Sequence, residues 1–307
     1  MNGASSAVPH RVVDHALASF LCACELDVAV RKPGNVSHVS AGHGMQAEMF
    51  RASAQAAARP LFQLGARVGH RIESAVAASW DAAGCNTNLG IVLLCAPIAM
   101  AAEKCPAGEC TNIASLRVAL DAVLADLDVD DTRAAYRAIA RARPGGLGSA
   151  SAEDVHDAPT LGLRDAMALA AERDSIARQY RDGYAELFDL GMTASLAAGQ
   201  LPRGAACAGP EAALVALVQR VYLNILSAIP DTHIVRKHGE ALAHTVMRSA
   251  QGWQARERAG AVLDADPGFA AWDHDLKAKR INPGTSADLT VATLLVAGLA
   301  GTATRPG

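Results

Sequence analysis

A chain of 307 residues that is 51% apolar and 19% charged can bury a sizeable core, which excludes an intrinsically disordered protein. Its net charge of −3, with no run of five or six like charges, argues against a nucleic-acid-binding or anionic-membrane surface. Aromatic residues make up only 4%, and alanine fills the volume they leave, which favours close helix–helix packing over a sheet core.

Apolar residues at helical spacing predict a first helix over Val12–Val30, stopped by Pro33-Gly34. Helices are expected next over Gln46–Leu64, Val68–Trp80, Asn88–Glu103, Asn112–Leu127 and Asp130–Arg141. The stretch from Pro144 to Pro159 reads as a long polar loop within one domain. Leu161–Leu190 is predicted as one long helix or two, and Glu211–Ala228, Glu240–Gln251, Gly268–Lys279 and Ala287–Leu299 complete the set. No segment reads as a convincing strand, and no internal repeat is present. The expected architecture is all-α: one compact multi-helix domain over 1–307, with a buried apolar core, no significant sheet, and flexible ends at 1–10 and 302–307.

The most apolar stretches, Leu89–Ala102 and Leu289–Gly301, are too short to span a bilayer and read as core helices. Met1 to Arg11 lacks the apolar segment of a signal peptide. The closest cysteine pairs, Cys22 with Cys24 and Cys105 with Cys110, do not make a CxxC motif. All seven cysteines are therefore expected as reduced thiols of a cytoplasmic protein.

Four polar segments carry candidate chemistry. In the first, Arg31 to His38 followed by Gly42-His43-Gly44, basic residues and Pro-Gly suit a helix end. The same segment suits a rigid loop offering Lys32, Asn35 and backbone N–H groups to phosphate oxygens. In the second, Asn86, Thr87 and Asn88 precede an apolar helix, either as ordinary caps or as an anion or ribose site at a helix N-terminus. The third, Pro230 to Gly239, is the densest polar cluster. It is either a solvated connection between helices or a site in which Asp231 holds Mg2+ while Arg236 and Lys237 neutralise phosphates. In the fourth, Asn282 to Leu289, Thr285 and Asp288 fit a capping box, yet a loop ahead of a buried helix can also present Ser286 and Asp288 to a ligand. Gly145-Gly146-Leu147-Gly148 lacks the Gly-Lys-Ser/Thr of a phosphate-binding P-loop and reads as a turn. His70, His156, His244 and His274 are scattered, without ligand spacing.

Taken in order, these segments resemble the triphosphoribosyl-dephospho-CoA synthase family, from about Ala16 to Leu299. Lys32-Pro33-Gly34, Gly42-His43 and Asn86-Thr87 are similar to early family motifs. Pro144 to Gly148 and Arg173 to Ala177 resemble its middle, and Asp231-Thr232 and Ser286 to Leu289 its end. The chain departs from the pattern in two places. Asn35 and Ser37 replace the Leu and Asp of Lys-Pro-Gly-Leu-Val-Asp, and Asn88 and Leu89 replace the His and Lys of Asn-Thr-His-Lys-Gly. The departures suggest a divergent branch, similar to homologues of methanopterin-type one-carbon cofactor pathways.

The resemblance implies an α-helical transferase that moves the 5-triphosphoribosyl group of ATP onto the 2′-hydroxyl of 3′-dephospho-CoA and releases adenine. It implies ATP as substrate, Mg2+ with the triphosphate, and small-molecule partners only, with no nucleic acid and no membrane; a homo-oligomer stays open. Asp231 and Asp288 are assigned to catalysis and to Mg2+. Lys32, Arg236 and Lys237 go to phosphates, Asn86, Asn88 and His233 to ribose or base contacts, and Asn35, His43, Thr87 and Ser286 to substrate binding. Two rival readings are an ATP-dependent enzyme acting on a one-carbon cofactor precursor and a non-catalytic nucleotide-binding protein. The assignment carries a geometric expectation: Lys32, Asn86, Asn88, Asp231, His233, Arg236 and Asp288 should line one cleft of about 300–1,000 Å3.

Overall fold

The computed structural model describes residues 7–105, 112–149, 152–198, 207 and 209–300. It is helical throughout, and among the described residues the only β-type pairings are isolated bridges at Ser37–Ser40 and Gly42–Met45. Six helices make the first half: α1 Ala7–Ala29, α2 Ala47–Leu61, α3 Val68–Ala83, α4 Leu89–Lys104, α5 Ile113–Ala125 and α6 Val129–Ala142. The short α7 Leu163–Ala168 and α8 Ser175–Arg181 follow, then a π-helical turn Leu187–Met192 and α9 Thr193–Ala198. The second half holds α10 Ala212–Ala228, α11 Thr232–His238, α12 Glu240–Arg258, a 3-10 turn Leu263–Ala265, α13 Pro267–Ala278 and α14 Gly284–Ala300.

Two largely apolar helices form the centre. Nearly every residue of α4 is buried, and every residue of α14 from Gly284 to Leu299 is buried except Asp288. Helices α1, α2, α3, α5 and α10 pack around this pair through one continuous cluster of Leu, Val, Ile and Ala. Each fully buried Leu or Val contributes about 1.5–3 kcal/mol, so the core outweighs the local preferences of individual loops. A second cluster joins α10 to α12, α13 and the start of α14, with Phe269 and Trp253 edge to face at 5.2 Å. Among the described residues no single helix is long and apolar enough to cross a membrane. The only combination that qualifies, α10 with α11, is bent by 54° at its break.

Several expectations need correction. Ala7–His10 belong to α1 rather than to a flexible end, while 1–6 and 301–307 lie outside the described residues. Leu161–Leu190 is not one or two long helices. Asp174 starts α8 by accepting from Ile176 N (2.8 Å) and Ala177 N (3.2 Å), and Gly183 and Tyr184 then take positive φ values of 62° and 60° that end it. The polar segment after Pro230 is a two-turn helix, α11, rather than a solvated connection. The cysteines are not all reduced, because Cys22 of α1 and Cys207 form a disulfide with their Cα atoms 5.4 Å apart. Cys24, Cys85 and Cys95 are free, and Cys110 lies outside the described residues.

Candidate active site

The ends of α1, α4, α8, α11 and α14, with Pro144–Gly148 and Ala152–Val155, enclose a cleft of about 590 Å3. It collects Asn35 and His43 from the first polar segment and Asn86 and Thr87 from the second. The third supplies His233, Arg236 and Lys237, and the fourth supplies Asp288. Helix caps act locally, so nothing in capping alone requires four segments so far apart in sequence to converge.

Asp288 is the focus of the cleft. It is the half-buried exception in a fully buried helix, and none of its contacts among the described residues is a hydrogen bond or an ion pair. Helix α14 begins at Gly284, three residues ahead of the expected start, so Thr285 and Asp288 do not form a capping box. Thr285 instead accepts a hydrogen bond from Thr232 Oγ1 at 3.2 Å. The early start depends on Gly284, where a Cβ would come within 2.5 Å of His233 Nδ1. Asp288 packs against Gly90 of α4, where any Cβ would overlap its carboxylate. Burial, with Asp27, Asp231 and Asp174 nearby, pushes the Asp288 carboxyl well above the usual carboxylate range.

The cationic side is built on α11. Arg236 donates to Gly145 O at 3.0 Å and to Asp174 Oδ2 at 3.2 Å. Gly146, at φ +78°, lets the loop lie on the Arg236 side chain, since a Cβ there would sit 2.9 Å from Arg236 Cγ. The glycine run expected as a simple turn is thus a wall of the cleft. Lys237 lies alongside Gly145, and burial and the neighbouring Arg236 lower its pKa. His233 is held neutral, its pKa pushed down to about 3 by burial and then by Lys237, Arg236 and His43. Its Nε2 is buried without a hydrogen-bond partner, which leaves it for a ligand. Burial also lowers His43, whose Nε2 lies 2.8 Å from Gly34 O.

Four expected residues do not line the cleft. Lys32 is completely buried and contacts Asp27, through the Asp27 carbonyl and through an ion pair at 2.9 Å to Oδ1. Its turn is docked elsewhere: Gly34 N donates to Asp273 Oδ1 at 2.9 Å, and Tyr222 Oη donates to Pro33 O at 2.8 Å. Asn88 is buried, with an unpartnered Nδ2, while Asn86 Oδ1 accepts from Leu89 N at 3.2 Å. Asp231 is 1% exposed and spends both oxygens, Oδ1 on His233 N and Ile234 N and Oδ2 on the backbone N and Oγ of Ser286. Ser286 is buried in that contact.

The donor set also bears on the metal expectation. With its oxygens satisfied inside the protein, Asp231 cannot share an ion with Asp288. Among the described residues no cluster of three or more His, Cys, Asp or Glu could hold a resident ion. Sequence reasoning missed Asp27, Asp174 and Leu89, all of which line the cleft. For Asp27 there was a signal, a lone carboxylate inside the apolar run Leu26–Val30.

A search of curated proteins gave no significant match. The fold matches the crystal structure of a candidate triphosphoribosyl-dephospho-CoA synthase from Archaeoglobus fulgidus, with a TM-score of 0.60 and 21% identity, covering 83% of this chain and 99% of that one. The family model described as ATP:dephospho-CoA triphosphoribosyl transferase matches residues 15–305. The chain belongs to the ATP:dephospho-CoA triphosphoribosyl transferase family.

Proposed function

We propose that this cleft binds ATP with its magnesium and transfers the 5-triphosphoribosyl group to the 2′-hydroxyl of 3′-dephospho-CoA, releasing adenine. The observation that carries the reading is the unpartnered Asp288 carboxyl on the floor of a cleft that also holds Arg236, Lys237 and a neutral His233. Bond breaking at the ribose C1′ leaves a cation-like sugar, which an adjacent carboxyl group stabilises or serves with a proton. Arg236 and Lys237 match the charge of a triphosphate that is retained in the product. Mg2+ enters as part of the substrate, on phosphate oxygens and water, in keeping with described residues that form no cluster of three or more His, Cys, Asp or Glu. Asn35, His43, Asn86, Thr87 and His233 contact ribose or base. An ATP-consuming transferase fits a cytoplasmic location.

A second reading concerns the acceptor alone. Leu89 lines the cleft where the family pattern has a lysine, so this cleft carries one cation fewer. That change favours an acceptor with fewer phosphates, such as a one-carbon cofactor precursor. Incubation with ATP, Mg2+ and each acceptor, followed by chromatography, tests both. Free adenine in proportion to product is the expected result. ADP or AMP without adenine would mean a kinase or ligase reaction instead.

A further inference from the structure

We propose that Asp27 is the second catalytic carboxylate of the cleft and that Lys32, sealed behind it, is its positioning residue. The inference rests on the transferase reading and adds a residue that neither the family motifs nor the spacing of polar residues points to.

Asp27 sits in the last turn of α1 and lines the same cleft as Asp288, although only 4% of it is exposed. Its partner Lys32 is buried more deeply still, at 0% exposure, and spends its ammonium on Asp27. Burying an ion pair costs several kcal/mol per ion in desolvation, which the mutual attraction repays only in part. A basic residue needed only for the C-terminus of α1 would do the same work in solvent. The costly arrangement instead fixes one carboxylate at the cleft wall.

The pairing is incomplete in an informative way. Lys32 lies 2.9 Å from Asp27 Oδ1 but is poorly aligned, so that oxygen accepts no hydrogen bond. A buried acceptor without an aligned donor is rare in folded proteins. At a cleft wall its natural donor is a ligand hydroxyl. Asp27 and Asp288 line the same cleft, and Asp27 is the first of the neighbouring charges that raise the Asp288 pKa. Environments that separate two neighbouring carboxyl groups are how one becomes the acid and the other the base. Here one carries an ammonium partner, while the other lies unpaired near carboxylates, with Arg236 as the cation that acts on it.

The proton bookkeeping closes. The acceptor 2′-oxygen bonds to C1′ as the C1′–N9 bond breaks, and the electron pair of that bond leaves on adenine. The hydroxyl proton passes to Asp27, and adenine takes a proton from Asp288, whose acid form burial favours. After product release the two carboxyl groups return to their starting states by proton exchange with water.

The experiment compares wild type, Asp27→Asn, Lys32→Met and the double variant Asp27→Asn/Lys32→Met. The readouts are adenine release at saturating substrates, ATP dissociation constant by calorimetry, and melting temperature. Asp27→Asn should lower kcat by about 100-fold or more, with ATP affinity nearly unchanged, the signature of an interaction made only in the transition state. Lys32→Met should lower kcat with the same split. The double variant removes both buried charges, so it should melt close to wild type and yet stay as slow as Asp27→Asn. A double variant that releases adenine at the wild-type rate would overturn the proposal, because the pair would then be structural only, while the transferase reading would stand. Wild-type protein that releases no adenine with any acceptor would overturn both.

Discussion

The loop entering α11 and the first turns of α14 touch through Ser286, and each carries an aspartate that sequence reasoning treated alike. Asp231 is enclosed and accepts four hydrogen bonds, two from the start of its own helix and two from Ser286. Asp288 accepts none, lies against Gly90 and faces the cleft. The same division separates the cations, with Lys32 sealed onto Asp27 while Lys237 reaches the cleft. A polar motif at a helix end therefore contains two kinds of residue. Those with satisfied hydrogen bonds hold the segments in register, and those left unsatisfied are available to a ligand.

The contrast is sharpest at Asp288. Its folded-state pKa is raised above its unfolded value, so the stability it contributes is present at low pH and is lost as pH rises through the folded pKa. At neutral pH the burial penalises the ionised form. Asp288→Asn should then lower adenine release by about 100-fold or more while leaving the melting temperature equal or higher. A fall in melting temperature with turnover intact would make Asp288 a structural residue.

A smaller effect is expected at the cationic side. Lys237→Met should raise the KM for ATP by about tenfold, the scale of one charged hydrogen bond, with less change in kcat. Steady-state kinetics with ATP varied at saturating acceptor would check it. An unchanged KM would remove Lys237 from the triphosphate.

The smallest effect concerns stability against pH. His233 has its pKa pushed from 6.5 to about 3, so the unfolded chain takes up a proton that the folded site refuses. Its contribution is present above pH 6.5 and is lost as the pH falls toward about 3. Urea melts at pH 7 and pH 4 should show a shallower acid loss for His233→Gln than for wild type. An equal loss would mean that His233 charges freely.

Much of this was legible in the sequence, and what was not has physical reasons. The 3.6-residue period marked amphipathic helices such as α2 and α6, while α4 and α14, buried on nearly every side, showed as apolar runs. It missed α11, whose seven residues are too few to show a period and whose existence depends on the Asp231 cap. It joined α7 to the π-helical turn, because the breaks there lie in the backbone angles of Gly183 and Tyr184 rather than in polarity. The site was read by residue type, and of those residues Asn86, His233, Arg236 and Asp288 line the cleft. Residue type cannot tell which hydrogen bonds are already made, so Lys32, Asp231 and Ser286 were placed there too, nor can it tell that Asn88, whose Nδ2 has no partner, is buried away from the cleft. Asp27 was passed over because its apolar neighbours made it look like part of a core helix. The Cys22–Cys207 link joins residues 185 apart, and no spacing rule reaches that far.

The central claim is that Asp231 builds the site and Asp288 works in it. The direct test measures melting temperature and adenine release together for Asp231→Asn and Asp288→Asn. In Asp231→Asn the new amide faces the Ser286 N–H, so the variant should lose about 1–3 kcal/mol of stability. Adenine release per folded molecule should stay close to wild type. Asp288→Asn should show the reverse, a stable protein with turnover nearly abolished. If Asp231→Asn folds as well as wild type and is the slower of the two, the assignment of roles is contradicted.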